Sequence, residues 1–106
     1  MFARTVVLRL KPNSLKEFTQ VFDSQVLPLL RKQPGFSDVI TLTMTGGTEV
    51  TSVSLWETKE QAEVYHTAAY PQVVKSLEPV LDRSPKLRVS DIVTSSFHKV
   101  AAGVGA

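Results

Sequence analysis

A chain of 106 residues with 42% hydrophobic content has room for one core and not for two. Twelve Lys and Arg against ten Asp and Glu leave a net charge of +2, and the basic residues are scattered, which argues against nucleic acid as a partner. There is no Cys, so disulfide frameworks, thiol nucleophiles and thiolate metal sites are excluded. No basic leader precedes an apolar run and no stretch nears the ~20 apolar residues of a spanning helix, so no membrane partner and a soluble, cytoplasmic protein are expected.

Residues Ala3 to Lys11 read as a first strand, ended by Pro12 and Asn13. Ser14 and Glu17 have the spacing of a capping box. Leu15, Phe18, Phe22, Val26 and Leu29 then recur at helical spacing. Pro28 lacks the N–H that would bond back to Ser24, which predicts a kink or a break into two pieces. Pro34-Gly35 is a turn, Phe36 to Thr45 a second strand, and Gly46-Gly47 a hairpin turn into a third strand over Thr48 to Trp56.

After Trp56 the pattern turns helical, with Thr58 and Gln61 forming a second capping box. This helix weakens near Thr67 to Tyr70, and Pro71 suits the first turn of a new segment whose apolar face is Val73, Val74, Leu77, Val80 and Leu81. Lys86 to His98 alternates as a last strand, and Val100 to Ala106 reads as a flexible tail. The domain therefore covers residues 1–99 and the tail 100–106.

The order β-α-β-β-α-β is that of the ferredoxin-like α+β fold, a four-stranded antiparallel sheet with its helices on one face. Thr41, Thr43, Thr45, Ser52, Ser54, Ser90, Thr94 and Ser96 are candidates for the other face. Hydroxyls without charges suit a second sheet better than water, so a homodimer closed through the sheet face is expected.

Trp56 at the end of the third strand, the Glu-Thr-Lys-Glu-Gln-Ala that follows, a His or Tyr on the next helix, and Gly35-Phe36 opening the second strand resemble the antibiotic biosynthesis monooxygenase family of dimeric α/β-barrel proteins. The resemblance covers roughly Phe2 to His98. It implies a ferredoxin-like dimer with a cleft between each sheet and its helices. It also implies oxidation of polycyclic aromatics, quinols or haem by molecular oxygen, in many members with no metal or flavin cofactor. The haem-degrading branch uses an Asn on the first strand and a Trp and a His on the second helix. Here the first strand offers Arg4, Thr5 and Arg9, with no Asn before Asn13, and the helix positions fall near Tyr65 and Lys75.

Trp56 either stacks on an aromatic substrate or plugs the junction of strand and helix. His66 is either a general base, since imidazole titrates near neutrality, or a half-exposed helix residue. Tyr65 and Tyr70 either hydrogen-bond a substrate oxygen or pack with wet tips. His98 reads as a surface residue. Two His and no Cys leave no expected metal site, and no cofactor is expected. The expected activity is a cofactor-independent monooxygenase acting on an electron-rich aromatic of quinol or anthrone type. In it His66 is catalytic and Trp56, Tyr65 and Tyr70 bind the small aromatic ligand. The alternative is a non-catalytic dimeric small-molecule-binding or stress-response module.

Overall fold

A computed structural model describes residues 1–44 and 46–100. Its elements are β1 (Phe2–Arg9), α1 (Leu15–Val21), a π-helical turn (Phe22–Val26), α2 (Leu27–Arg31), β2 (Phe36–Thr43), β3 (Glu49–Trp56), α3 (Lys59–Ala68), α4 (Tyr70–Leu77), a 3-10 turn (Glu78–Val80) and β4 (Lys86–Asp91). The four strands form one antiparallel sheet in the order β2-β3-β1-β4, with the helices on one face. The expected tail, apart from Val100, and Thr45 lie outside the described residues.

Most breaks in the chain have a local cause. The helix after β1 is interrupted, but over Phe22–Val26, one turn ahead of Pro28, which sits in the first turn of α2. Because Pro28 cannot donate to Ser24, the i→i+4 ladder is lost there and the preceding turn widens to π geometry. The Ser14 box does not form: the Ser14 side chain makes no cap bond and its hydroxyl donates to the Pro12 carbonyl at 3.5 Å. The Thr58 cap does form, with the Gln61 N–H donating to Thr58 Oγ1 at 3.1 Å. Pro71 lies in the first turn of α4. Gly35, at φ +81°, holds the end of the α2–β2 loop so close to α3 that a Cβ there would lie 2.1 Å from Gln61 Oε1.

The last strand is shorter than its alternation suggests. Asp91 lies opposite Phe2, the first residue of β1, and there the ladder runs out of partner. The Ile92 N–H still reaches the Met1 carbonyl at 3.0 Å, and further along His98 pairs with Asp38 of β2.

Residues directly opposite in antiparallel strands share a face. Phe2–Trp56, Arg4–Ser54, Val6–Ser52 and Leu8–Val50 face the helices. Ala3–Leu55, Thr5–Val53, Val7–Thr51 and Arg9–Glu49 face away. The hydroxyls expected on the uncovered face are therefore mostly on the covered one. Ser52 and Ser54 are buried, Thr41 hydrogen-bonds Ser52 at 3.2 Å, and Thr43 lies opposite Val50. Ser90 does face away, opposite Ala3, while Thr94 and Ser96 lie past the end of β4. The physical reason is parity. Trp56 goes into the core, and a strand's period of two carries Ser54 and Ser52 in with it. The outside carries an aliphatic group at β2 and β3, Ile40, Leu42, Val53 and Leu55, with Ile40 48% and Leu42 56% exposed, and charged residues toward its ends and β4, among them Arg9, Glu49, Lys86 and Arg88.

The core lies between the sheet and the helices. Phe2, Leu8, Val50 and Trp56 meet Phe18, Phe22, Val26 and Leu30 from the first helical stretch, and Ala62, Tyr65, Val73 and Leu77 from the second.

Candidate functional site

Strand β1 turns Phe2, Arg4, Val6 and Leu8 inward. A charged side chain on the buried parity is unusual, and Arg4 is only 2% exposed. Its guanidinium carbon sits 5.1 Å from the ring centre of Tyr65 and 4.7 Å from that of Tyr70. Nη1 donates to Nδ1 of His66 at 3.1 Å. A guanidinium can only donate, so Nδ1 is the acceptor and the neutral imidazole carries its proton on Nε2. Nη2 is buried with no hydrogen-bond partner among the described residues.

Helices α3 and α4 bring the aromatic groups to Arg4. Tyr65 stacks on Trp56 with ring centres 4.8 Å apart, and Phe36 meets the other side of Trp56 edge-on at 5.6 Å. Tyr70 tilts against Tyr65 at 6.1 Å and stacks on His66 at 5.3 Å. The four residues singled out in the sequence thus form one connected group. Trp56 stands at its back. It is fully buried, and its indole N–H donates to Ser54 Oγ at 2.9 Å. It reaches the rest of the group through Tyr65, as a packing residue. His66 is exposed on α3.

Arg4 is the residue the sequence reading left without a role, and it is the hub of the cluster. The available signal was its parity, two residues from Phe2 and four from Leu8 on a strand whose even positions are otherwise apolar.

The electrostatics follow from burial. Desolvation pushes the Tyr65 phenol well above the ordinary tyrosine value, against the opposing pull of the Arg4 charge. The Tyr70 phenol is raised for the same reasons. Burial lowers the Arg4 pKa, and the two phenols work against that. At neutral pH both phenols are therefore neutral O–H groups beside a cation.

Two neighbouring spaces lie between the sheet and the helices. The wide one, about 550 Å³, opens between α1–α2 and β2 and is lined by Phe18, Phe22, Phe36 and Val39 together with Thr41, Thr43 and the charged Asp23, Arg31 and Asp38. The inner one, about 40 Å³, is bounded by Arg4, Ser52, Ser54, Tyr65 and Tyr70. Phe22 and Val39 are walls of both. A further recess of about 390 Å³ between α3 and β4 is bordered by Arg4, His66, Glu63 and Val89. Among the described residues no three His, Cys, Asp or Glu side chains converge as a metal site would require. The arrangement can hold a ring and present it with phenol, hydroxyl and guanidinium groups of the inner space, while the His66 imidazole borders the recess on the other side of Arg4.

The sequence profile of the antibiotic biosynthesis monooxygenase family matches residues 1–74. No curated protein sequence matches the chain. Among solved structures, a protein of unknown function from Nitrosomonas europaea is similar with TM-score 0.75 and 16% identity, over 96% of this chain and 95% of that one. The monooxygenase from the ActVA-Orf6 gene of Streptomyces coelicolor, solved in complex with nanaomycin D, is similar with TM-score 0.71 and 22% identity, over 89% and 92% of the two chains. SnoaB, a cofactor-independent oxygenase from Streptomyces nogalater, is similar with TM-score 0.73 and 11% identity, over 90% and 95%. At these identities the structures speak for the fold. The profile covers well over half of the chain, and its match agrees with the split βαβ sheet and the cleft beneath the helices: the chain belongs to the antibiotic biosynthesis monooxygenase family.

Proposed function

We propose that the chain is a cofactor-independent monooxygenase that oxidises an electron-rich aromatic of quinol or anthrone type with molecular oxygen. The observation that carries this reading is the cleft itself. A chamber of mixed lining, large enough for fused rings, neighbours an inner space lined by Tyr65, Tyr70, Ser52 and Arg4, and Arg4 hydrogen-bonds His66. Family membership supports the reaction class.

For an anthrone the balance is simple. The ring CH₂ becomes a carbonyl, one oxygen atom of O₂ enters it, and the other leaves as water with the two hydrogens. The substrate first loses a proton. His66 takes it at Nδ1, exchanging the Arg4 N–H for the substrate's acidic hydrogen. The resulting anion gives one electron to oxygen, the radical pair recombines, and water is lost. Tyr65 and Tyr70 hold the substrate oxygen as donors, which their raised pKa values permit across the neutral range. Trp56 holds Tyr65 in place. The same reading includes a homodimer. The aliphatic outer face of Ile40, Leu42, Val53 and Leu55 packs on its copy, as the family's dimeric architecture implies.

The test is oxygen uptake by the metal-free protein over a panel of hydroquinones and anthrones, with His66→Ala run alongside. Uptake above the spontaneous rate, falling by about 100-fold in the variant, is expected. Equal uptake in both would keep the enzyme and remove His66 from the chemistry. Ligand binding with no oxygen consumed would favour the alternative, a binding module.

A further inference from the structure

The proposed reaction needs an anion, and the cleft contains a cation with no anionic partner. Among the described residues no carboxylate lies within salt-bridge reach of Arg4: the described pairs are Arg9–Glu49, Lys59–Glu63, Arg83–Asp82 and His98–Asp38. A guanidinium buried to 2% exposure without a counter-charge is costly. The faces of Tyr65 and Tyr70 offset part of that cost, but ring faces do not take up N–H donors in the plane of the guanidinium. One of those donors, on Nη1, goes to His66, and Nη2 is buried and unpaired among the described residues; Arg4 as a residue lines the inner space.

We propose that Arg4 is the ligand-recognition residue of this cleft, and that the cleft takes an aromatic molecule carrying one oxyanion, a carboxylate or a phenolate, which draws the Arg4 guanidinium to it. The division of space gives the same ligand shape. The inner space of about 40 Å³ is small beside the chamber of about 550 Å³, so it suits a small polar head better than a ring. The ring belongs in the chamber of about 550 Å³ beyond Phe22 and Val39. Around the head, Ser52 and Ser54 offer hydroxyls, and Tyr65 and Tyr70 supply neutral phenols that do not repel an anion. When the ligand's own acidic hydrogen goes to His66, Nη1 is released and Arg4 can grip the new oxyanion with two parallel donors.

This inference takes the cleft as the ligand site, as in the function proposed above, but its test needs no turnover. The probes are 2-naphthoate and 2-naphthamide, which share size and shape, differ in charge and are not oxidised. Calorimetry on the wild-type chain is expected to give at least about tenfold tighter binding of the naphthoate. In Arg4→Gln the two affinities become equal within about twofold, with an unchanged circular dichroism spectrum to certify the fold. 4-Nitrophenol separates the two oxyanion sources: its phenolate absorbance rises on binding to the wild type, and not to Arg4→Gln, if phenolates are taken as well as carboxylates. Equal binding of naphthoate and naphthamide by the wild type overturns the proposal without recourse to any variant. So does a naphthoate preference that survives in Arg4→Gln, or no binding of either probe at millimolar concentration. Oxygen uptake can fail while naphthoate selectivity holds, and the reverse, so the two readings fail separately.

Discussion

The two faces of the sheet carry the opposite of what exposure to water alone would assign. The face under the helices bears Ser52, Ser54, Thr41 and a buried arginine. The face without helices bears Ile40, Leu42, Val53 and Leu55. A covered face with polar groups is costly unless those groups are satisfied or serve a ligand. Some are satisfied internally, Ser54 by Trp56 and Ser52 by Thr41, and one, Nη2 of Arg4, is not. An uncovered face with aliphatic groups is costly unless something covers it. In the function proposed above, the inner face serves a ligand and the outer face a second copy of the chain.

The largest effect expected from breaking this contrast is at Trp56. It is fully buried, joins Phe36 to Tyr65 and anchors Ser54. Trp56→Ala should cost about 3–5 kcal/mol in chemical denaturation, because the cavity it leaves cannot collapse onto two elements at once. On the outer face the order of effects is reversed. Ile40→Lys with Leu42→Lys should leave the fold of each copy intact but weaken dimerisation on the order of 100-fold, roughly 3 kcal/mol, in sedimentation equilibrium. A loss of fold with no change in assembly would place the outer face in the core.

A smaller, pH-dependent effect sharpens the picture of the inner face. Burial raises the Tyr65 phenol above its unfolded value. The folded chain then holds a proton that the unfolded chain releases, so stability is full below about pH 10 and falls above it, by up to about 1.4 kcal/mol per pH unit. Tyr65→Phe should flatten that alkaline slope while leaving stability near neutrality changed by only a small amount. Urea midpoints measured at neutral and alkaline pH check both points.

The sequence made local features legible. The order of elements, the Gly46-Gly47 hairpin with both residues at positive φ, and the Thr58 cap are each decided by a few neighbouring residues. The aromatic group was legible too, since Trp56, Tyr65, His66 and Tyr70 are uncommon residues concentrated in one stretch. The assignment of sheet faces was not. Alternation says that two sets of residues point opposite ways but not which set points in, and small hydroxyls look like solvent-facing residues until Trp56 is used to fix the parity. Arg4 was obscured for a similar reason: a basic residue on a strand reads as exposed. The end of β4 was set by the extent of its partner β1, which no local pattern in residues 86–98 encodes.

The most direct measurement of the division between faces is a methyl NMR titration of the wild-type chain with 2-naphthoate. Strand β2 supplies its own control, because Val39 points into the cleft and Ile40, its neighbour, points out. The account predicts shifts at Val39, Val50 and Val6, with Ile40 and Val53 unmoved. Shifts at Ile40 and Val53 with the inner methyls unmoved would contradict it, and would make the aliphatic face the ligand site.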